Sequence, residues 1–450
     1  MSIQNPLAII ILAAGKGTRM KSDKPKVMNE LAGLPMVNWL LKTAESLKPE
    51  KIVVVTGPDM KHLEEAVKPH ITVIQETRNG TGGAARIAAE KLGAFKGNVL
   101  ILLGDAPLIR KETLESLITA RQGKDIGLSL LGCDIRNPTS YGRIVLANDS
   151  GSVVEKIVEE KDASIEEKKI KLVNTGAFCV DGENLSKWLQ QITNDNAAGE
   201  FYITDLPQIA AKQNMKTTAA ITHDQTEVQG CNTLLDLAAL ETTLRLRLCG
   251  EAMAAGVKII DPATTYLHHD TKIGAGTLVE PNVFFGEKVE IGENVHLKAF
   301  SHLEDVTIAK NATIGPFARL RPGTQIEEGV RIGNFVEIKK STIGKHSKVP
   351  HLAYVGDTTM GKDVNFSAGA ITVNYDGFEK HQTIIGKGVM IGSNVNLVAP
   401  IEIDDGALVA AGSTITSDVP ADSLSIARDT GSIRQGWAKA YREKKRKKKK

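Results

Sequence analysis

From Ile273 to Pro420 an aliphatic residue returns at every sixth position, a period that belongs to a left-handed parallel β-helix and to no α-helix, sandwich or doubly wound sheet. Successive hexads begin at Ile273, Val279, Phe285, Ile291, Leu297 and Leu303, and after a five-residue step at Ile308, Ile314, Leu320, Ile326, Ile332 and Ile338. A second short step leads to Ile343, Val349 and Val355, a third to Met360, Phe366 and Thr372, and a longer jump to Ile385, Ile391, Leu397, Ile403, Val409 and Ile415. Three hexads close one triangular coil, so these side chains are predicted to stack inward as ladders while small or acidic residues turn the corners. At about 4.8 Å per coil, roughly eight coils make a prism on the order of 40 Å long.

The first half has a different rhythm. Leu7–Leu12, 52–55, Ile71–Ile74 and 99–103 are apolar enough to be buried strands of a mostly parallel sheet. Residues 36–47, 84–92 and Lys111–Ala120 carry helical spacing between them. This is an α/β, Rossmann-like layout, whose ligands sit at the carboxyl ends of the strands. Leu237, Leu240, Leu244 and Leu248 then keep a helical period ahead of Gly250 and Gly256, which predicts one linking helix of about 20 residues, ~30 Å long. The expected organisation is a nucleotide-binding domain over 1–230, a linking helix over 231–255, a β-helix over 256–437 and a basic, disordered tail over 438–450.

Charge and cysteine content narrow the partners. The net charge of +3 conceals a tail, residues 442–450, that holds eight cations and one acid, so the remainder carries −4. Such a body gives no footprint for specific nucleic-acid binding, and a solvated end is the expected state of the tail. Cys133, Cys179, Cys231 and Cys249 lie far apart, without CxxC or metal-finger spacing, so reduced, buried thiols are expected. No apolar run approaches the ~20 residues that cross a bilayer, and a cytoplasmic location is expected.

Chemistry enters at the end of the first strand, in Leu12-Ala13-Ala14-Gly15-Lys16-Gly17-Thr18-Arg19-Met20. Gly17 stands where a Walker loop needs Ser or Thr, and Met20 where the dinucleotide fingerprint needs its third Gly. What remains is a glycine-rich turn whose amides can approach phosphate oxygens, with Lys16, Arg19 and Lys26 as three cations suited to a triphosphate. A second buried run ends in Gly104-Asp105, delivering a carboxylate to the same sheet edge, where a hard cation such as Mg²⁺ is a fitting ligand.

The glycine loop, Lys24-Pro25-Lys26-Val27 and Gly104-Asp105 resemble sugar-nucleotide pyrophosphorylases. Joined to hexapeptide repeats carrying His351-Leu352-Ala353-Tyr354 and Asn374-Tyr375-Asp376-Gly377, they resemble the bacterial bifunctional N-acetylglucosamine-1-phosphate uridylyltransferases/glucosamine-1-phosphate N-acetyltransferases, from about residue 7 to about 437. The resemblance implies synthesis of UDP-N-acetylglucosamine. In the first half it implies Mg²⁺ on Asp105 and Asn232, with Arg19 and Lys26 stabilising phosphate charge. Leu12, Ala13, Ala14, Gly15, Leu103, Gly104, Gln75, Gly80 and Thr81 would surround UTP, and Gly142, Glu159 and Asn174 the amino sugar and ribose. The family's uracil loop usually reads Leu-Gly-Thr-Gly-His-Ala, whereas this chain has Asn79-Gly80-Thr81-Gly82-Gly83-Ala84. Losing that His leaves the Gly-Thr contact in place and predicts a looser loop.

In the second half the resemblance implies acetyl transfer from acetyl-CoA to glucosamine-1-phosphate. The attacking amine must be neutral, and imidazole, with an unperturbed pKa of about 6.5, is the natural base; the family position is His351. Arg321 and Lys339 would grip the sugar phosphate, Tyr354 and Asn365 its hydroxyls and amine, and Ala368, Asn374, Tyr375, Ser393, Ala411 and Arg428 acetyl-CoA. The jump between Thr372 and Ile385 is an ejected loop of the kind that reaches a neighbouring subunit, and the family implies a homotrimer. Two alternatives differ in substrate or class: thymidylyl transfer to another sugar phosphate, and a regulatory exchange subunit of the eukaryotic initiation-factor type, which needs no intact Arg19, Asp105, Asn232 and His351.

Overall fold

The computed structural model describes residues 6–21, 23–147, 152–429 and 431–448. The chain forms two compact units, Met1–Leu246 and Arg247–Lys450.

In the first unit the strands are β1 (Leu7–Leu12), a short β2–β3 hairpin (Glu30–Leu31, Leu34–Pro35), β4 (Lys51–Thr56), β5 (Ile71–Ile74), β6 (Asn98–Leu103), β7 (Ile126–Asp134), β8 (Arg143–Leu146), β9 (Val154–Val158), β10 (Leu172–Asp181) and β11 (Lys216–Thr222). The sheet order is β11-β7-β10-β6-β1-β4-β5, and β8 pairs with β10 and β9. Neighbours along this path are parallel except at β10, which runs against β6 and β7. Helices α1 (Met36–Ser46), α2 (Lys61–Ala66), α3 (Thr81–Leu92), α4 (Lys111–Ala120), α5 (Gly182–Leu189) and α6 (Leu206–Ala211) connect the strands. Ile9, Ile11, Val54, Leu100 and Leu102 enter one apolar cluster and Ile10, Val53, Val55, Val99 and Ile101 the other. Both faces of the sheet are therefore covered, which explains why the central strands read as unbroken apolar runs. Ile71–Ile74 departs from the expected buried strand: it is the sheet's edge, and Ile71 and Ile74 are 36% and 45% exposed. An edge strand lacks the second neighbour that would cover it.

Helix α7 (Leu234–Ala254) follows, and the division between units falls within it. The second unit is built of parallel ladders. One runs Ile273, Ile291, Ile308, Ile326, Ile343, Met360, Ile385, Ile403 through eight strands. Every hexad position named above is buried except Ile273, which is half-buried at the ladder's start. Each buried aliphatic contributes about 1.5–3 kcal/mol relative to exposure. The five-residue steps are corners closed by one residue in left-handed conformation: Asp305, Lys340 and Asp357 have φ of 46°, 46° and 47°. The segment 374–382 leaves the coil as a closed hairpin, with Tyr375 bridged to Lys380 and Asp376 accepting from the amides of Phe378 and Glu379.

The expected disordered tail is corrected in part. Trp437–Lys447 is a helix, α8, with no buried residue, consistent with the high propensity of Ala, Lys, Arg and Glu and with cations gathered at its C-terminal end. Lys449 and Lys450 lie outside the described residues. Among the described residues no helix is long and apolar enough to cross a membrane, and all four cysteines are free and buried.

Candidate active sites

In the first unit the site grows from strand ends. β1 hands over to the glycine loop, whose Gly17 has φ of 69° and no room for a side chain, since a Cβ would stand 2.5 Å from Lys26 Cβ. That approach sends the Lys26 side chain to Asp105, just beyond β6, where its ammonium makes a short ion pair with Oδ2. The same Nζ donates to Asn232 Oδ1 at 3.2 Å, and Arg19 Nη2 donates to that oxygen at 2.9 Å. Asn232 is placed by the start of α7. Asp236 Oδ2 accepts from the amides of Asn232 and Thr233 at 2.9 and 2.8 Å, and Thr233 Oγ1 accepts from the Asp236 amide at 3.2 Å, a capping box. Asp105 and Asn232 thus present two hard oxygens to one point, already visited by a cationic group, and this donor set fits Mg²⁺.

Two adjoining cavities, of 320 and 500 Å³, share Thr81, Leu103 and Asp105. Leu12, Ala13, Ala14, Gly15, Lys26, Gln75 and Gly80 line the first; Arg19, Gly142, Glu159, Asn174 and Asn232 line the second. Gly104 lines neither; its amide donates to Leu12 O, and a Cβ would stand 3.1 Å from that oxygen, so it lets two strand ends close up. Lys16, the third expected phosphate cation, lines instead a neighbouring 500 Å³ cavity with Arg78. Arg78, which the sequence reading passed over, also lines the first cavity, held by donation from Nε to Ala14 O at 2.8 Å.

The second cavity's acid is tuned by its surroundings. Burial pushes the Glu159 carboxyl up from its ordinary value, opposed by donation from Thr204 Oγ1 at 3.0 Å and assisted by Asp162 and Asp205. Beside it, buried Arg143 pairs with Glu160 at 2.6 Å. A bulge in β10 between Asn174 and Phe178 turns the Asn174 backbone toward Gly142 O at 2.8 Å.

The uracil loop, expected to be looser, is tied by several hydrogen bonds. A Cβ on Gly83 would collide with Asn79 Oδ1, so Asn79 occupies the space beside residue 83. Gln75 Nε2 donates to Asn79 Oδ1 at 2.9 Å and to Gly80 O at 3.2 Å. The loop is also stitched to Phe201, whose amide donates to Asn79 O while its carbonyl accepts from Gly82, both at 2.8 Å.

In the second unit the site residues follow the ladders. His351, Ala368, Ser393 and Ala411 each come two positions after a residue of one ladder, Val349, Phe366, Ile391 and Val409. They therefore descend one corner as a column of three coil spacings, about 14 Å. Arg428 closes its lower end, donating to Ala411 O at 2.7 Å. His351 is exposed, and Tyr354 lies on the same strand, Lys348–Gly356. Asn365 lies one coil on, donating to Ser367 Oγ at 2.9 Å. Asn374 donates to Asp357 Oδ2 at 2.6 Å, and Tyr375 Oη to Gly377 O at 2.6 Å within the hairpin. Arg321 pairs with Glu337 at 2.7 Å. Lys339 is held below the usual ammonium range, first by the adjoining Lys380 side chain, then by burial and by Arg321. Three cations, Arg321, Lys339 and Lys380, outnumber the two carboxylates beside them, Glu337 and Asp357, and the excess suits an anion. Lys380 was missed because it lies inside the ejected hairpin, where the hexad period is silent.

Residues 9–143 match the MobA-like NTP transferase domain family, and residues 305–340 and 382–417 the bacterial transferase hexapeptide (six repeats). The bifunctional protein GlmU of Paramagnetospirillum magneticum is 44% identical over 97% of this chain and 96% of its own length. That of Zymomonas mobilis is 42% identical over 100% of both. That of Caldanaerobacter subterraneus is 43% identical over 96% of this chain and 97% of its own length. With a nucleotidyltransferase sheet, a hexapeptide β-helix and relatives aligned from end to end, the chain belongs to the bifunctional GlmU family.

Proposed function

We propose that the chain makes UDP-N-acetylglucosamine in two steps, one in each half. In the second half acetyl passes from acetyl-CoA to glucosamine-1-phosphate. His351 takes a proton from the amine as its nitrogen attacks the thioester carbonyl; the C–S bond breaks and the CoA thiolate leaves. Arg321, Lys339 and Lys380 hold the sugar phosphate, Tyr354 and Asn365 orient the sugar, and the small residues Ala368, Ser393 and Ala411 leave a strip for the extended arm of CoA, flanked by Asn374, Tyr375 and Arg428. In the first half an oxygen of N-acetylglucosamine-1-phosphate attacks the α-phosphorus of UTP, and the bond to the departing pyrophosphate breaks. Both partners are anions, so neutralisation and in-line placement dominate the barrier. Arg19 and Lys26 supply cations, Gln75, Gly80 and Thr81 hold the uracil end, and Gly142, Glu159 and Asn174 orient the sugars. Asp105 and Asn232 hold Mg²⁺, which when bound offsets charge on the phosphates.

The observation that carries this reading is the meeting of Arg19, Lys26, Asp105 and Asn232 at the seam of two cavities sized for a nucleotide and a sugar. In this reading three copies assemble with acetyl-transfer sites between them. The exposed corner rings of Phe300, Phe317 and Phe335, stacked at 5.0 and 5.2 Å, support a protein contact there. The test follows CoA thiol and pyrophosphate separately with glucosamine-1-phosphate, acetyl-CoA, UTP and Mg²⁺. CoA is expected first and pyrophosphate after it. Pyrophosphate only when N-acetylglucosamine-1-phosphate is supplied would overturn the role of His351, and dTTP matching UTP would overturn the nucleotide assignment.

A further inference from the structure

Gly142, Glu159 and Asn174, assigned above to the sugars, come from three segments of chain yet lie in one row. Arg143 pairs with Val158 across the β8–β9 ladder and with Val173 across the β8–β10 ladder. Both ladders are antiparallel, so the next row brings Gly142 level with Glu159 on one side and with Asn174 on the other. The contacts agree. The Asn174 amide donates to Gly142 O at 2.8 Å, and a Cβ on Gly142 would stand 3.5 Å from both carboxylate oxygens of Glu159. Behind this row lies a charged side chain that lines neither cavity: Arg143, only 2% exposed. Its guanidinium turns back past the start of β8, where Nη1 donates to Tyr141 O and Nη2 to Glu160 Oε2 at 2.6 Å. Tyr141 and Glu160 form the row beyond Gly142 and Glu159. The sugar row is therefore held between a backbone rung, Arg143 to Val158, and a side-chain rung that the same arginine throws across Tyr141 and Glu160.

We propose that Arg143, with Glu160 as its partner, is a positioning residue for uridylyl transfer: it sets the spacing of Gly142 and Glu159 that receives the sugar phosphate. The inference rests on the functional reading above. A side-chain rung is needed there because β8 begins at Arg143 and β9 ends at Val158, so the ladder between them stops one row short of the sugar. Gly142 has no side chain of its own with which to hold that row. Stability alone does not account for the arginine. A buried charge is costly unless its geometry is good, and apolar residues of similar volume commonly fill such a space as well or better. Among the described residues Arg143 Nε has no hydrogen-bond partner, which adds to that cost. What the guanidinium offers in return is a rigid, planar fork that reaches a carbonyl and a carboxylate at once, which neither a lysine nor an apolar side chain can do. Placement within a fraction of an ångström matters at this point, because the attacking phosphate oxygen must line up with the α-phosphorus of UTP.

The test measures uridylyl transfer by the full chain with each substrate varied in turn, well below the unfolding midpoint of every variant. For Arg143→Lys and Glu160→Ala, kcat/KM for N-acetylglucosamine-1-phosphate should fall roughly 10–100-fold, while the KM for UTP and the rate of acetyl transfer stay within about twofold. Glu160→Gln, which keeps an acceptor oxygen for Nη2, should lose less than about fivefold. Glu160 is 32% exposed, so its two variants read the proposal even if changes at Arg143 prevent folding. A double variant, Arg143→Met with Glu160→Met, separates fold from position. Its unfolding midpoint should match that of the unaltered chain, while the sugar-phosphate defect remains. Recovery of sugar-phosphate kinetics along with the midpoint would make the pair structural only and overturn the inference, as would KM values for UTP and sugar phosphate that rise together. An unaltered chain that releases no pyrophosphate from UTP and N-acetylglucosamine-1-phosphate would overturn the functional reading itself, and this inference with it.

Discussion

The two halves solve the same problem, gripping a sugar phosphate, in opposite ways. In the first unit residues 213 apart in the chain meet at 2.9 Å, and loops from several strands line the two clefts. In the second, the assigned residues hang on one face and corner of a prism, in register rather than converging, and His351 stays exposed. A cleft walled by several loops of one chain has its sides within that chain, whereas a column on a convex corner supplies one wall. This difference is the physical reason to expect a neighbouring copy at the second site and none at the first.

The sharpest way to break that comparison is a crossed pair of substitutions. Asp105→Ala should lower uridylyl transfer by roughly 10³-fold and weaken its Mg²⁺ dependence, leaving acetyl transfer within about twofold. His351→Ala should lower acetyl transfer by roughly 10²–10⁴-fold and leave uridylyl transfer alone. Separate thiol and pyrophosphate assays read both; equal loss of both activities in either variant would sink the two-site division.

Next in size is Lys380→Ala. Removing this ammonium lets the Lys339 ammonium return toward its ordinary range but takes a cation from the phosphate site. The KM for glucosamine-1-phosphate should rise about tenfold with kcat little changed. A fall in kcat at constant KM would instead place Lys380 at the reacting atoms.

Glu159 offers a smaller, pH-dependent handle. Burial already raises its carboxyl pKa, and the Thr204 hydrogen bond works against that rise. Thr204→Val should therefore raise it further, moving the acid limb of uridylyl transfer to higher pH. The expected cost is roughly three- to tenfold in kcat/KM near the acid end and none well above it. A uniform loss at all pH values would mean that the hydroxyl positions Glu159 without tuning its charge.

What was legible beforehand follows the range of the forces involved. The hexads fixed the inward ladders because each position answers to a neighbour one coil away, and Ile71–Ile74 was placed as a strand because three of its four residues are apolar. Its edge position was hidden, since strand order is a long-range property. Arg19, Lys26 and Asp105 were assigned to one sheet edge by their places at strand ends, whereas Asn232 joined them only through resemblance, because no local pattern ties it to residues so distant. Lys380 and Arg78 were illegible: each acts by where its loop returns, and neither loop has a period.

The smallest expected effect tests the one departure from the family pattern inside the first site. Asn79 occupies the space a larger residue at 83 would need, and its side chain ties Gln75 into the loop. Gly83→His alone must push Asn79 aside, and Asn79→Leu alone removes one of the two acceptors of the buried Gln75 amide, leaving Gly80 O. Each single change should cost about 1–3 kcal/mol of stability, the first through overpacking and the second through the loss of a buried hydrogen bond. If the pair Asn79 and Gly83 is one compensated unit, the double variant, which restores the family's Leu and His together, should recover about 1 kcal/mol or more relative to the sum of the singles. Thermal unfolding of the four proteins measures that coupling; simple additivity would mean that Asn79 merely fills space that Gly83 left open.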